Sequence, residues 1–309
     1  MIRPEDLPKY VLISPARNEA KYIEKTIQSV INQTIRPLKW VIVENGCTDN
    51  TAEIVGRYSK DHPWIEFVPL PKDKERSFAG KANAFNAGCE MVDHLDYEII
   101  GNVDADISFD ADHFEFLLRR FQEDPKLGVA GTVFQEEGYN SATDSFEGQN
   151  HVAGQCQIFR RECLKQVGGY VAHRAGGVDW IAVVTARMLG WKTRSFQEKS
   201  FFHYRRMGTA GRGRVAAAFS YGEKDYYLGG SPVWQVFRCA YRAVKPPYLI
   251  EGAALFAGYV WAWIRRMPRP VSEELMRFHR REQKAKLKAI LGSVLRLRKF
   301  DKFTVSAGG

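Results

Sequence analysis

Cysteine is scarce in this sequence, and its spacing excludes two common roles. The 309 residues contain five cysteines, and none of them forms a CxxC pair. An odd number with wide spacing argues against both a disulfide framework and a zinc knuckle. The N-terminal stretch MIRPEDLPKYVLIS also lacks the apolar segment and the small-residue cleavage site of a signal peptide. We therefore expect the chain in the reducing cytoplasm.

Long hydrophobic runs are absent too, although hydrophobic residues make up 45% of the chain, which is enough for a packed core. The most apolar segment, LIEGAALFAGYVWAWI at 249–264, is too short to predict a membrane span and contains Glu251. Its C-terminal part carries aromatic and basic side chains typical of a membrane interface: Tyr259, Trp261, Trp263, Arg265 and Arg266.

Negative charge is scarce in the C-terminal third. Residues 205–300 contain 20 Lys and Arg against 6 Asp and Glu, a net charge of +14 in a chain of net charge +9, so the rest of the chain is at −5. Such a segment indicates a polyanionic or anionic membrane partner, or a solvated surface without a partner. From about Ser272 it predicts a basic helix with an apolar stripe: Leu287, Ile290, Leu291 and Val294. We favour docking of residues 248–294 on anionic lipid over packing against the rest of the chain.

Segments typical of strands and helices alternate through the first part of the chain. Apolar runs predict strands at 10–16, 39–46, 64–70 and 97–106, and apolar residues at helical spacing predict helices at 19–33, 47–62 and 80–92. Thr48 or Asp49 is expected to cap the second helix. This alternation predicts an α/β fold, a mostly parallel central sheet with helices on both faces.

The pattern changes after residue 125. A further strand is predicted at 126–136, and 156–170 predicts a strand and then a helix that stops at Gly168 and Gly169. Residues 177–193 predict a helix with Asp179 in its first turn.

Two acids follow the apolar run YEIIGNV. Asp104 and Asp106 have only Ala105 between them, and a charge at the end of a buried strand is costly unless it is paired. Carboxylate oxygens suit hard divalent cations that keep positions open for phosphate. An isolated DxD is more often a solvated turn or helix cap. Here it lies on the edge where such sheets bind ligands, which favours a divalent metal carrying a diphosphate.

Ordered motifs over about residues 10–205 resemble the family 2 glycosyltransferases of the GT-A fold. The motifs are ISPARNEAKYIEKTIQSVINQT, VIVENGCTDNTAEIV, GKANAFNAG, NVDADISF, FRRECLKQVGGY and GVDWIAVVTARMLGWKT. The resemblance implies a GT-A glycosyltransferase domain over 1–230. A basic, partly apolar helical extension that associates with a membrane is then expected over 231–309.

The resemblance also implies which residues contact a nucleotide-sugar donor. These are Pro15, Arg17, Asn18, Glu19, Glu44, Asn45, Lys81 and Asp104. The family often has Asp-Asp where this chain has Glu44-Asn45, which leaves the identity of the nucleotide open. Lys81 would face the diphosphate or the donor sugar, and its alternative is a surface lysine at a helix N-terminus.

Metal ligands and a catalytic base follow from the same resemblance. Asp104 and Asp106 would bind Mn²⁺ or Mg²⁺, and Asp179 would be the base of an inverting transfer. The family commonly has Glu-Asp where this chain has Val178-Asp179, so the second acid is the one retained. Otherwise Asp179 would only stabilise the helix dipole.

His203, in the stretch FFHYRRMG, lies where the resemblance implies a residue that closes the site over the diphosphate. It is a third metal ligand or a structural histidine, and Arg205 and Arg206 are alternative phosphate-binding residues.

The sequence therefore predicts a metal-dependent, inverting glycosyltransferase in the cytoplasm, peripheral on the inner face of the membrane. By resemblance it would move a sugar from a nucleotide-diphosphate donor to a saccharide or lipid-linked acceptor in cell-surface polysaccharide synthesis. A sugar-phosphate nucleotidyltransferase is an alternative, although SPARNEAKY lacks the glycines of its usual phosphate loop. A non-catalytic basic protein is a third, but an acidic edge repels nucleic acid in the absence of metal, so no nucleic-acid partner is expected.

Overall fold

The computed structural model describes residues 6–70, 78–144, 148–205, 213–244 and 248–295. The chain divides into two compact units, Met1–Arg205 and Arg206–Gly309. This division precedes the boundary predicted at residue 230. The physical reason is that the helix at Arg214–Tyr227 packs against the helix at Ile250–Ile264, within the second unit.

One sheet contains nine strands in the described part of the first unit. The strands are β1 Tyr10–Ala16, β2 Lys39–Glu44, β3 Ile65–Pro69, β4 Ile99–Val103, β5 Ile107–Phe109, β6 Leu127–Glu136, β7 Tyr139–Asn140, β8 Cys156–Arg160 and β9 Lys192–His203. Their order is β3-β2-β1-β4-β8-β6-β9-β5, and β7 pairs with β6. The strands β3, β2, β1 and β4 are parallel, as predicted, whereas β8 runs antiparallel to both β4 and β6. The sheet is therefore mixed.

Helices connect these strands. They are α1 Ile23–Ile31, α2 Thr51–Asp61, α3 Phe78–Val92, α4 His113–Glu123, α5 Ser141–Asp144, α6 Arg161–Val167 and α7 Val178–Met188. The predicted stop after α6 is confirmed, because Gly168 has a left-handed φ of 81° and ends the helix. The cap predicted for α2 is wrong. The helix begins only at Thr51, because the Asp49 carboxylate accepts hydrogen bonds from the backbone N–H groups of Ala20 and Thr51.

The core lies on both faces of the sheet because the side chains of its strands alternate. Along β2, Trp40 and Ile42 belong to one buried cluster, and Val41 and Val43 belong to the other. Both faces are covered by apolar side chains, so the strands read as continuous apolar runs in the sequence. The polar residues that follow the strands are left at the edges of the sheet.

The second unit is helical in its described residues. Its helices are α8 Arg214–Tyr227, α9 Pro232–Ala243, α10 Ile250–Ile264 and α11 Glu273–Leu295. Gly222 of α8 and Gly258 of α10 let the two helix backbones approach closely, since a Cβ at either glycine would overlap backbone atoms of the other helix. None of the helices in the described ranges has the length and apolarity needed to cross a membrane.

Candidate active site

The turn that carries Asp104 and Asp106 joins β4 to β5, and neighbouring backbone holds it in place. The Asp104 N–H donates to the Gln155 carbonyl at 2.8 Å, and the Tyr204 N–H donates to the Asp106 carbonyl at 3.0 Å. Both acids therefore lie at the carboxyl end of a buried parallel strand, at the predicted edge of the sheet.

Asp104 forms an ion pair with Lys81 from the first part of α3. The Lys81 Nζ lies 2.5 Å from Asp104 Oδ1. Burial opposes the charge on Lys81, but the Asp104 carboxylate outweighs it and holds the pKa of Lys81 above its ordinary value. Burial raises the pKa of Asp104 above its ordinary range, and the neighbouring charge of Asp106 acts in the same direction against Lys81. Lys81 therefore keeps its positive charge beside the partly buried carboxyl group of Asp104.

Asp106 is flanked by two basic side chains, His203 at the end of β9 and Arg205 two residues later. The Nε2 of His203 lies 3.6 Å from Asp106 Oδ1, and the Nε of Arg205 lies 3.5 Å from Asp106 Oδ2. Burial opposes ionisation of Asp106, but His203, Arg205 and Lys81 together keep its pKa below the usual range. Burial likewise opposes the charge on His203, and its carboxylate neighbours nevertheless raise its pKa.

Each of these two basic side chains has a second carboxylate partner. The Nδ1 of His203 lies 2.7 Å from Glu136 Oε1, and the Nη2 of Arg205 lies 2.5 Å from Glu19 Oε2. Glu19 and Glu136 are both buried. The carboxylate of Glu19, which the resemblance places against the donor, therefore contacts Arg205 in this structure.

Asp179 lies in the first turn of α7, beside Gly154. A Cβ built on Gly154 would lie 2.6 Å from the Asp179 Cβ and 2.9 Å from its Oδ2. The carbonyl of Gly154 accepts hydrogen bonds from Asn102 Nδ2 at 2.6 Å and from Lys81 Nζ at 3.5 Å. The charge of Asp179 also contributes to the raised pKa of Lys81. The loop at Gly154 therefore brings Asp179 next to the Lys81–Asp104 pair.

The loops after β1 and β2 are joined by hydrogen bonds. Asn18 has a left-handed φ of 56°, and its side-chain oxygen accepts from the Thr48 N–H at 2.8 Å. Glu44 Oε1 accepts from the Cys47 N–H at 2.8 Å, and the Asn45 N–H donates to Ala16. Pro15 and Arg17 are half-buried in the same region. The structure thus gathers the predicted donor-binding residues at adjacent strand ends, and their contact with a nucleotide stays a prediction.

Sequence reasoning missed three residues of this site: Asn102, Glu136 and Gly154. Glu136 had a local signal, because the apolar run LGVAGTVFQE ends in an acid just as YEIIGNVDAD does. Gly154 had none, since its closeness to Asp179 depends on how the loop before β8 lies against the first turn of α7.

The donors at the acidic turn are of the types that a divalent metal prefers. Asp106 offers carboxylate oxygens and His203 offers Nε2, and such oxygen and nitrogen donors suit Mn²⁺. Within the described ranges, no three His, Cys, Asp or Glu side chains are already assembled as a metal cluster. Arg205 supplies positive charge beside Asp106 in this structure, and His203 does so when it is protonated. The residues therefore fit a cation that replaces part of this charge.

The fold is the GT-A fold, which solved glycosyltransferase structures share. The mannosyltransferase PcManGT from Pyrobaculum calidifontis, in complex with GDP-Man and Mn²⁺, has a TM-score of 0.55 at 20% identity, over 96% of this chain and 82% of that one. Staphylococcus aureus TarS 1-349 in complex with UDP-GlcNAc has a TM-score of 0.56 at 13% identity, over 95% and 93%.

Part of the chain also matches a known sequence family. Residues 11–146 match the family described as Glycosyl transferase family 2. Among curated relatives, the poly-beta-1,6-N-acetyl-D-glucosamine synthase of Staphylococcus epidermidis is 29% identical over 170 residues, covering 49% of this chain and 39% of the relative. The synthase of S. aureus strain COL is 30% identical over 128 residues, covering 41% and 29%. The alignments thus cover well under half the length of these relatives.

Proposed function

We propose that this protein is a metal-dependent, inverting glycosyltransferase. It transfers a sugar from a nucleotide-diphosphate donor to a saccharide or lipid-linked saccharide during cell-surface polysaccharide synthesis. The observation that carries the proposal is the meeting of Asp179 with the Lys81–Asp104 pair at Gly154. Asp104 precedes Asp106 by two residues. A carboxylate placed beside a phosphate-binding cation and a metal-binding turn matches the requirements of glycosyl transfer.

In the proposed reaction, Asp179 accepts the proton of the acceptor hydroxyl. The hydroxyl oxygen forms a bond to the anomeric carbon, and the bond from that carbon to the diphosphate breaks, so that the diphosphate leaves with the electron pair and the configuration inverts. Lys81 stays charged and binds the departing phosphate oxygens. Asp106 and His203 would hold the divalent metal, which supplies further charge stabilisation to the leaving group.

We propose UDP-N-acetylglucosamine as the first donor to test. Support comes from two sources: the names of the curated relatives and the UDP-GlcNAc bound to TarS 1-349. GDP-mannose is the second candidate, because PcManGT has that donor bound with Mn²⁺.

The test is a donor panel. Purified protein is incubated with UDP- and GDP-sugars in Mn²⁺, in Mg²⁺ or in EDTA, and release of the nucleoside diphosphate is measured with and without saccharide acceptors. We expect release from one donor with a divalent metal, and strong slowing in Asp179→Asn. The matched control is Asp61→Asn, an exposed acid at the end of α2. No release from any donor, or equal release from the Asp179 variant, contradicts the proposal.

We further propose that the second unit docks on an anionic membrane surface. Its helix α10 buries one stripe and leaves large apolar side chains exposed: Leu249 and Ile250 at its start, Phe256 in its middle, and Trp261, Trp263 and Ile264 at its end. Val233, Val236 and Phe237 of α9 are exposed as well. Arg265 and Arg266 follow directly. Apolar insertion and basic charge each bind weakly, and together they can hold a protein at anionic lipid.

Vesicle sedimentation tests this docking. We expect binding to vesicles of phosphatidylglycerol and phosphatidylcholine, release in high salt, and weaker binding after Trp263→Ser or after Arg265→Gln with Arg266→Gln. Arg280 is a poor choice because its Nε donates to the Gly229 carbonyl at 2.9 Å. The control variant is Leu189→Ser, an exposed apolar residue of the first unit. Equal sedimentation with neutral and anionic vesicles contradicts electrostatic docking.

A further inference from the structure

Two adjacent strands and the turn before a third strand each bring one side chain to the acidic site. Strand β9 lies between β6, to which it is parallel, and β5, to which it is antiparallel. Gln135 of β6 pairs with Phe202, so the next residues, Glu136 and His203, are side by side. On its other side His203 pairs with Ile107, the residue after Asp106. The register therefore places Glu136 beside His203, and the turn just before β5 completes a row with Asp106.

The contacts along this row give each ring nitrogen of His203 its own partner. Nδ1 lies 2.7 Å from Glu136 Oε1, which is hydrogen-bond distance, and Nε2 lies 3.6 Å from Asp106 Oδ1. Only 6% of the Glu136 side chain and 8% of the His203 side chain are exposed. The ring also meets Phe134 edge to face, with centroids 6.4 Å apart. A buried histidine between two carboxylates and an aromatic ring has little freedom to rotate.

A carboxylate that is hydrogen-bonded to one ring nitrogen of a histidine determines whether the other nitrogen carries a proton or a free lone pair. When Glu136 accepts the Nδ1–H, a neutral His203 carries its lone pair on Nε2, the nitrogen that faces Asp106. Histidine ligands of metals are commonly oriented in this way by a carboxylate, and loss of that carboxylate typically costs 10–100-fold in metal affinity. In the absence of the carboxylate, the ring could turn or present a protonated Nε2.

We propose that Glu136 is a positioning residue, which fixes the tautomer and the orientation of His203 so that Nε2 is directed at a cation bound by Asp106. The inference rests on the proposed function, because it assumes that the acidic turn receives a divalent metal with a nucleoside diphosphate. Glu136 itself contacts neither the metal nor the donor, and acts through the imidazole.

The test measures Mn²⁺ affinity in the presence of UDP by electron paramagnetic resonance of free Mn²⁺. We expect Glu136→Ala to weaken Mn²⁺ binding by about 10-fold or more, as the loss of an orienting carboxylate does. Glu136→Gln keeps an acceptor for Nδ1–H and should restore part of the affinity, whereas Glu136→Asp keeps the charge but loses the reach and should resemble the alanine variant. Glu137→Gln, at the exposed neighbouring acid, is the matched control and should equal the parent.

A second readout needs no metal. In ¹H–¹⁵N spectra of the imidazole groups, assigned with His203→Gln, the parent should show a hydrogen-bonded Nδ1–H for His203 that Glu136→Ala loses. If the alanine variant does not fold, the aspartate and glutamine variants carry both measurements. Parental Mn²⁺ affinity in both Glu136→Ala and Glu136→Asp, or an unchanged Nδ1–H signal, overturns this inference alone. A parent that binds no Mn²⁺ with UDP overturns the proposed function together with the metal-directed part of this inference.

Discussion

Gly154→Ala should slow glycosyl transfer by displacing the proposed base. The added Cβ would lie 2.6 Å from the Asp179 Cβ, 2.9 Å from its Cγ and 2.9 Å from its Oδ2. Ordinary van der Waals contact begins at 3.4 Å, so the two groups must separate by about 0.8 Å. All three crowded atoms belong to the Asp179 side chain. Because side-chain rotation cannot move the nearest one, Cβ, the backbone of α7 or of the Gly154 loop must shift and change the position of the carboxylate relative to the site.

The structure allows the size of the effect to be worked out. A displacement of roughly 1 Å in a catalytic group can cost about 100-fold in rate, which corresponds to about 2.7 kcal/mol of transition-state stabilisation. The methyl group itself should cost about 1–3 kcal/mol of folding stability through overpacking. Most donor-binding residues lie on other loops, although Lys81 contacts the Gly154 carbonyl, so kcat should fall by a larger factor than the KM for the donor rises.

A double-mutant cycle with Asp179→Asn isolates the cause. Initial rates of transfer are measured for the parent, the two single variants and the double variant, with thermal unfolding as the check on folding. Asp179→Asn alone should reduce transfer by about 10²–10⁴-fold. Adding Gly154→Ala to it should then cost little more, because the displaced group no longer acts as a base. If Gly154→Ala slows the asparagine variant by the same factor as it slows the parent, the reasoning is refuted. Gly56→Ala, at a helical glycine with open space around it, is the control.

Three further predictions concern charge and packing. Asp106→Asn should abolish Mn²⁺-dependent UDP binding in calorimetry while the protein stays folded, and parental binding would contradict the assignment. Because folding raises the pKa of His203, protonation of this histidine stabilises the fold. The contribution is fully present below the pKa of an unfolded histidine, about 6.5, and is lost as the pH rises through the pKa of the folded state. The stability gap between parent and His203→Gln in urea should therefore be larger at pH 5.5 than at pH 9, and a constant gap would contradict the charge assignment. Gly258→Ala should lower the free energy of unfolding by about 1–3 kcal/mol, because the added methyl group overpacks against the Phe219 backbone. Gly292→Ala, which meets no neighbour within 4 Å, should raise it or leave it unchanged, and equal effects of the two would count against the close approach of the helices.

Local sequence determined most of the strands and helices of the first unit and the position of the acidic turn. Strand β4 could be predicted because Ile99 and Ile100 are apolar and fully buried, and Asp104 follows directly where the apolar run stops. The helix α6 could be predicted to end at Gly168, because a left-handed residue is needed there and glycine adopts it without strain. These features depend on side-chain periodicity and on the φ preference of single residues, both of which can be read from neighbouring positions.

Only the tertiary structure decided what surrounds the acids. Nothing in the periodicity of β8 indicates that it is inserted antiparallel between β4 and β6, so the mixed character of the sheet was not predicted. Glu136 and His203 are 67 residues apart in the chain and become neighbours only through the register of β6 and β9. Asp49 is of a residue type that commonly caps helices, yet its carboxylate also accepts a hydrogen bond from the Ala20 N–H, which belongs to another loop. Such partners are set by long-range pairing of strands and loops, and the local sequence pattern carries no record of that pairing.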